Sequence, residues 1–319
     1  MASLGRKISV CLVTYNHENL VESTLRTVLE QDIDGYELLV SDDCSTDGTW
    51  EKVVEMAETD SRIVPIRTPR NLGMAGNANY VVSQAARPYI ALLHHDDLYR
   101  HDMLRKWGAL MDRHPDAGFV FNSYGVHGSD RIDDEPFSGE LIDGATFLER
   151  HLFPRWGCPV RGTALIRRDA WAEVGGMREA FGLLADVDLW MRLARRFPVG
   201  YVPEPVIVTR QERPDYYPGI YTGRSGFWKR QRFLYEIHGT NREETYRGFR
   251  RTFEMTKFRM RVTRETIKWL GYAVLRGNME MIGQSSDGIC RFEMAPARAA
   301  RVLAAKFFPG AGRPSGSAQ

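Results

Sequence analysis

The sequence predicts an α/β protein, a mostly parallel central sheet flanked by helices, followed by a basic α-helical extension. Three observations predict it. Short β-branched and apolar runs alternate with amphipathic stretches through residues 8–93, the order expected of strands joined by crossover helices. Several of those runs end abruptly in polar or acidic residues, and in open α/β sheets ligands collect beyond the carboxyl ends of the strands. Charge also divides along the chain: residues 1–223 hold 24 Lys and Arg against 33 Asp and Glu, whereas 224–319 hold 19 against 8.

A chain of 319 residues is long enough for one large domain and an extension, and its 43% hydrophobic and 26% charged content excludes a disordered or fibrous protein. No run approaches the roughly 18 apolar residues of a membrane span. Residues 8–13 are too short for a secretory leader, so the expected location is cytoplasmic. Cys11, Cys44, Cys158 and Cys290 are scattered without a C-x-x-C spacing, which argues against a zinc cluster or a disulfide framework.

Taken in order, residues 8–13 read as a first strand, stopping at Thr14, Tyr15 and Asn16. Leu25, Val28 and Leu29 share one face of a following helix. Residues 36–40 form a second strand that runs into Asp42, Asp43 and the turn to Gly48. A helix over 50–57, a strand over 63–66 and a helix over 76–86 lead to the apolar run 89–93. Helix 103–111 and strand 118–121 follow, and the Gly-, Asp- and Ser-rich stretch 128–144 reads as a mobile loop over one end of the sheet. Strand 163–166, helix 170–174 and a helix over 184–196 complete this part. From 224 the chain reads as helical, with Phe249, Phe253, Met260, Ile267, Leu270 and Val274 on a stripe of alternating four- and three-residue steps between flanks of Arg and Lys. Residues 309–319, small and polar, are expected to be disordered.

The run 89–93 ends in His94, His95, Asp96 and Asp97. Two adjacent carboxylates repel, and a divalent cation bridging to phosphate is one compensation; a solvated acidic turn is the other reading. In Asn71-Leu72-Gly73-Met74-Ala75-Gly76, glycines let the backbone approach a ligand just before a helix begins. Asp186 and Asp188 fall in the first turn of the helix over 184–196.

Together these pieces resemble glycosyltransferase family 2, the inverting enzymes of GT-A fold, over residues 7–212 and through five ordered motifs. The resemblance implies a GT-A domain over 1–223, with its nucleotide-binding half at 7–100 and its acceptor half at 101–223. The helical extension would span 224–308. It further implies that Thr14, Tyr15 and Asn16 form the floor of the nucleotide pocket, that Asp43 accepts a hydrogen bond from the base, and that Asn71, Gly73 and Asn79 approach ribose or phosphates. Asp96 and Asp97 would hold a divalent metal, Mn²⁺ or Mg²⁺, and Asp186 would be the catalytic base. Asp188, Trp190 and Arg192 would serve packing and orientation.

Four positions depart from the family pattern: Ala78 stands where Arg is common, His94 replaces the leading Asp of the metal motif, Ala185 replaces Glu, and Glu212 occupies the neighbourhood of a His. The implied activity is hexosyl transfer from a UDP-, dTDP- or GDP-linked sugar to a hydroxyl of a glycan, lipid-linked glycan or small metabolite. Cell-envelope polysaccharide, glycolipid or secondary-metabolite synthesis would be its setting. Acceptor contacts are expected from Trp156, Arg161, Gly162 and Thr163 and from the 128–144 stretch. The rival readings are a non-catalytic nucleotide-sugar-binding scaffold of the same fold and a nucleotidyltransferase; the latter lacks its Gly-rich phosphate loop after the first strand. The basic extension reads as a solvated helical pair, as a peripheral anchor to an anionic inner membrane face, or as a homodimer contact. Nucleic acid is not an expected partner.

Overall fold

The computed structural model describes residues 2–135, 137–210 and 226–307. Glu212 and the tail 309–319 lie outside them. The chain divides into two compact units, residues 1–214 and 215–319.

The first unit is built on ten strands: β1 Ile8–Thr14, β2 Glu37–Asp42, β3 Ile63–Arg67, β4 Tyr89–His94, β5 Asp97–Tyr99, β6 Phe119–Val126, β7 Ser129–Asp133, β8 Leu141–Ile142, β9 Ala164–Arg167 and β10 Val199–Thr209. They form one sheet in the order β3-β2-β1-β4-β9-β6-β10-β5, with β7 paired to β6 and β8 to β10. β1 to β4 are mutually parallel, whereas β9 runs antiparallel to both β4 and β6. Every residue of β1 is buried, as a central strand covered on both faces requires. Helices Val21–Leu29, Thr49–Thr59 and Gly73–Gln84 are the crossovers. Val21, Leu25 and Val28 pack with Leu12, Val40, Leu93, Trp107 and Val206 in the main core.

Two expectations fail here. The stretch 128–144 is not a plain loop: it contains β7, which pairs with the end of β6, and β8, which pairs with the start of β10. β7 is almost wholly exposed, so its order comes from the backbone ladder and leaves no apolar alternation to read. β10, eleven residues long, was missed altogether because Pro203 and Pro205 argue against a central strand. The register of β10 against β6 shifts between Val202, Pro205 and Ile207, and that irregularity accommodates the prolines.

In the second unit, helices Phe227–Thr245, Gly248–Leu275, Met279–Gly283 and Ala295–Phe307 enclose Trp228, Leu270, Ala273, Met281, Ile282 and Ala304. Arg301 lies over the Trp228 ring at 4.4 Å and pairs with buried Glu293. The long helix buries Met255, Phe258, Val262, Thr266, Leu270 and Ala273. Most of the stripe read from the sequence faces solvent instead: Phe249 is 85% exposed, Phe253 52%, Met260 51% and Ile267 42%. Two sets of residues on this helix have helical spacing, and periodicity alone does not say which set packs. Among the described residues no helix is long and apolar enough to cross a membrane.

Candidate functional site

The parallel register sets Thr14 beside Asp42 and Val13 beside His94, so the turns after β1, β2 and β4 converge at one edge of the sheet. Two of these turns are strained into left-handed backbone, Asn16 at φ 51° and Cys44 at φ 62°. Such non-glycine conformations persist where the surroundings enforce them. Here the enforcement is visible: the Asn16 N–H donates to Ser45 Oγ at 2.9 Å, and Asn16 Oδ1 accepts from the Thr46 N–H at 2.8 Å. The side chain of Asn16 thus ties two pocket turns together, with Tyr15 half-buried next to it and Thr14 buried beneath.

Asp43 is buried, and its Oδ1 accepts from the Leu72 N–H at 2.8 Å and from Thr68 Oγ1 at 3.0 Å. Burial raises its pKa, against the downward pull of those donors. It anchors the loop that carries Asn71 and Gly73, where Gly73 takes φ 75° and its N–H donates to Asn71 Oδ1 at 3.0 Å. Asn79 lies farther along the helix and gives both ends of its amide to the main chain of Met177, at 2.9 Å each. Its amide is therefore engaged in holding the 176–177 turn. Ala78, fully buried, leaves no cation at its position.

Beyond β4 the four-residue turn is braced on several sides. Tyr99 Oη donates to the His94 carbonyl at 2.6 Å, Thr24 Oγ1 donates to the His95 carbonyl at 2.8 Å, and Arg210 donates to the Asp96 carbonyl at 3.2 Å. The His94 ring packs on Gly162, which has φ 79° and could carry no Cβ without striking the imidazole. Two trios bring potential metal-ligand atoms within 4.8 Å of one another: His94, Asp96 and Asp97, and His17, His95 and Asp96. A set of imidazole and carboxylate donors fits a divalent cation, and Asp96 is common to both trios. Burial, and then the neighbouring His95, lower His17 to about 3; burial lowers His95 to about 4. His17, Tyr99 and Arg210 were missed by sequence reasoning, since each is an ordinary polar residue whose place is set by pairing between distant strands.

Asp186 is the second residue of helix Ala185–Ala194, where the free N–H groups of the first turn favour an anion. Burial nevertheless raises it to about 6, with the Val187 N–H and the Trp190 indole pulling the other way. Two residues on, Asp188 is sealed in the interior and accepts from Arg192 Nε at 2.7 Å; Arg192 also donates to the carbonyls of Val174 and Gly176. Asp188→Ala would remove a buried ion-pair partner of that guanidinium. We expect it to cost about 3–5 kcal/mol, read as a lower urea midpoint at unchanged slope.

Asp186 lies close enough to Cys158 to raise the thiol's pKa together with burial. Gly157, Cys158, Pro159 and Arg161, together with Arg131 to Glu135, line a cavity of about 340 Å³. Arg161 is held there by Asp133 and by the Tyr124 ring, 5.6 Å away. Trp156 is half-buried and outside the cavity lining, while Thr163 is fully buried. The 157–162 segment thereby links Asp186 at one end to His94, through Gly162, at the other.

A sequence profile described as Glycosyl transferase family 2 matches residues 9–175. EpsE of Bacillus subtilis (strain 168), named as a glycosyltransferase, is 28% identical over 242 residues, covering 73% of this chain and 79% of its own. The Escherichia coli enzyme named UDP-Glc:alpha-D-GlcNAc-diphosphoundecaprenol beta-1,3-glucosyltransferase WfgD is 30% identical over 125 residues, 39% of this chain and 48% of its own. The structure of S. aureus TarS 1–349 in complex with UDP-GlcNAc superposes with a TM-score of 0.66 at 16% identity, covering 96% of this chain and 88% of TarS 1–349.

Proposed function

The chain belongs to glycosyltransferase family 2, and from that footing we propose that it moves a sugar from a nucleotide-diphosphate donor to an acceptor hydroxyl with inversion at the anomeric carbon. What carries the reading is the placement of Asp186: a carboxyl tuned by burial to about 6, at a helix N-terminus, beside the wall of an open cavity. Such a group is ionised at neutral pH yet basic enough to take the proton of an attacking hydroxyl. The cavity lined by 131–135 and 157–161 would receive the acceptor, with the ion-paired Arg161 and Asp133 as polar contacts. Asp43 would meet the base, and the turns at 14–16 and 71–73 would enclose the nucleotide. Asn79 would act at one remove, by fixing the 176–177 turn.

Asp96, with Asp97 beside it, would hold a divalent cation, which when bound offsets charge on a diphosphate leaving group. The relative WfgD is named for UDP-Glc and a diphosphoundecaprenol-linked acceptor, which favours a uridine donor and an acceptor of cell-envelope type, and the TarS structure holds UDP-GlcNAc, a uridine donor again. The test is thermal stabilisation of the purified chain across UDP-, GDP- and dTDP-sugars, each with Mn²⁺, Mg²⁺ or chelator. A ligand at a hundred times its Kd contributes about 2.7 kcal/mol, a shift of several degrees. We expect it for UDP-sugars with metal. Absence of any nucleotide-dependent shift would sink the transferase reading, and a shift with no sugar transfer would favour the non-catalytic nucleotide-sugar-binding scaffold.

A further inference from the structure

We infer that the solvent-facing side of helix Gly248–Leu275 is a docking face for the surface of a bilayer that carries anionic phospholipid. The inference goes beyond the transferase reading and does not depend on it. It joins an exposed apolar row to an excess of cations on the same helix.

Single exposed apolar residues are ordinary on any protein, whereas a concentration of them marks a surface that is covered in use. Of the fifteen large hydrophobic side chains exposed among the described residues, thirteen belong to the second unit, the smaller of the two. Five of these, Phe249, Phe253, Met260, Ile267 and Val274, lie on one side of the long helix. The opposite side buries Met255, Phe258, Val262 and Ala273. At the helical rise the exposed row is about 38 Å long.

The same helix carries seven Arg and Lys against two Glu. Exposed Arg250, Lys257, Arg264 and Lys268 line one edge of the apolar row. Lys257 holds its ammonium 5.1 Å from the centre of the Phe253 ring, so charge and apolar surface meet side by side. Glu254 and Glu265 pair with Lys257, Arg264 and Lys268 at 3.4–4.0 Å, exposed contacts that offset a minority of the positive charge.

Charge and spacing choose among occupants. A second copy docked through a helical seam needs both apolar rows of the heptad. Leu270 of the second row is already packed in the core of its own unit, and Thr263 of that row is buried and accepts from the Met294 N–H. Two copies would also bring like cations together, because Arg250, Lys257, Arg259 and Arg264 hold the flanking positions and both glutamates lie away from them. A nucleic-acid backbone would meet the cations and leave the apolar row in water. A bilayer surface with anionic headgroups satisfies both halves. The apolar side chains enter the boundary between headgroups and acyl chains, and the Arg and Lys beside them meet phosphate.

The experiment sediments the full-length chain with vesicles, without nucleotide sugar. Vesicles of phosphatidylcholine alone are compared with vesicles that also contain phosphatidylglycerol. Binding to the second kind is expected to be about tenfold tighter or more, and to weaken as salt is raised. The double variant Lys257→Gln, Arg264→Gln should bind them about tenfold more weakly. The double variant Phe253→Ser, Met260→Ser should lose a similar factor of about ten although its charge is unchanged. Val64→Ser, at an exposed apolar residue of the first unit, should bind as wild type does. All these positions are exposed, and far-UV circular dichroism checks that each variant is folded. No binding to phosphatidylglycerol vesicles, equal binding to both kinds, or binding untouched by the Phe253 and Met260 changes would overturn the inference. So would a wild-type dimer in solution that those two changes dissociate, which would assign the face to a second copy. Binding is read without sugar transfer, so failure here leaves the transferase reading intact, and failure of transfer leaves this face intact.

Discussion

Asp186→Asn is expected to lower turnover by about 10³-fold, near 4 kcal/mol of transition-state stabilisation, while leaving the Kd for the donor nucleotide within about twofold of wild type. The amide keeps the shape of the carboxylate but cannot take a proton. Since the group must be ionised to act, the wild-type rate should climb with pH and level off above about 6, the value to which burial raises it. Asn should abolish that dependence along with the rate. Stability should move the opposite way. A carboxyl whose pKa is raised on folding holds its proton longer in the native state than in the unfolded one, so it costs stability increasingly as pH rises from about 4 to about 6. The Asn variant has no such cost, and its melting temperature at pH 7 should equal or exceed that of wild type. Single-turnover kinetics and melting curves on the same preparation check both halves. A variant that kept more than a tenth of wild-type turnover would remove Asp186 as the base.

Asp96→Asn should produce a different loss. This carboxylate belongs to both trios of potential ligands, so its removal weakens whichever of them holds the cation. We expect the metal-dependent part of donor stabilisation to disappear and turnover to fall by about 10³-fold or more. The pH dependence set by Asp186 should persist in what activity remains. The metal-free stability of the fold should change little, because the turn is braced through main-chain carbonyls by Thr24, Tyr99 and Arg210. Rates and melting temperatures measured with and without chelator separate this outcome from the first. A variant that retained a full metal response would move the cation away from Asp96.

The central strands were legible because β1, β2 and β4 are buried runs ending in polar residues, a pattern of composition alone. The acidic turn after β4 was legible for the same reason, and the aspartates opening helix Ala185–Ala194 were legible from the helical spacing of the apolar residues that follow them. What composition could not carry was pairing. Nothing local marks Val199–Thr209 as a strand when two prolines interrupt it, and nothing local sets His17 against His95, since that contact depends on β1 lying beside β4. The family resemblance implied that Asn79 approaches ribose or phosphates. Its partners, the N–H and carbonyl of Met177, lie 98 positions away. The long helix of the second unit carried two apolar faces in its sequence, and only packing distinguished Phe258 and Val262, inside, from Phe253 and Met260, outside.

The strand order also fixes when this sheet can be finished. β10 lies between β6 and β5 and pairs with β8 as well, although it follows all of them in sequence. As the chain emerges from the ribosome, β6 must wait with one edge open, and β5 without its partner, until residues 199–209 arrive. The part matched by the family profile, 9–175, ends before that strand is made. A fragment cut there would expose the open edge of β6 to any extended chain that could pair with it, which is a route to aggregation. Assembly across such long sequence separations is slow, so this unit depends on its last strand for protection during synthesis as well as for its final shape.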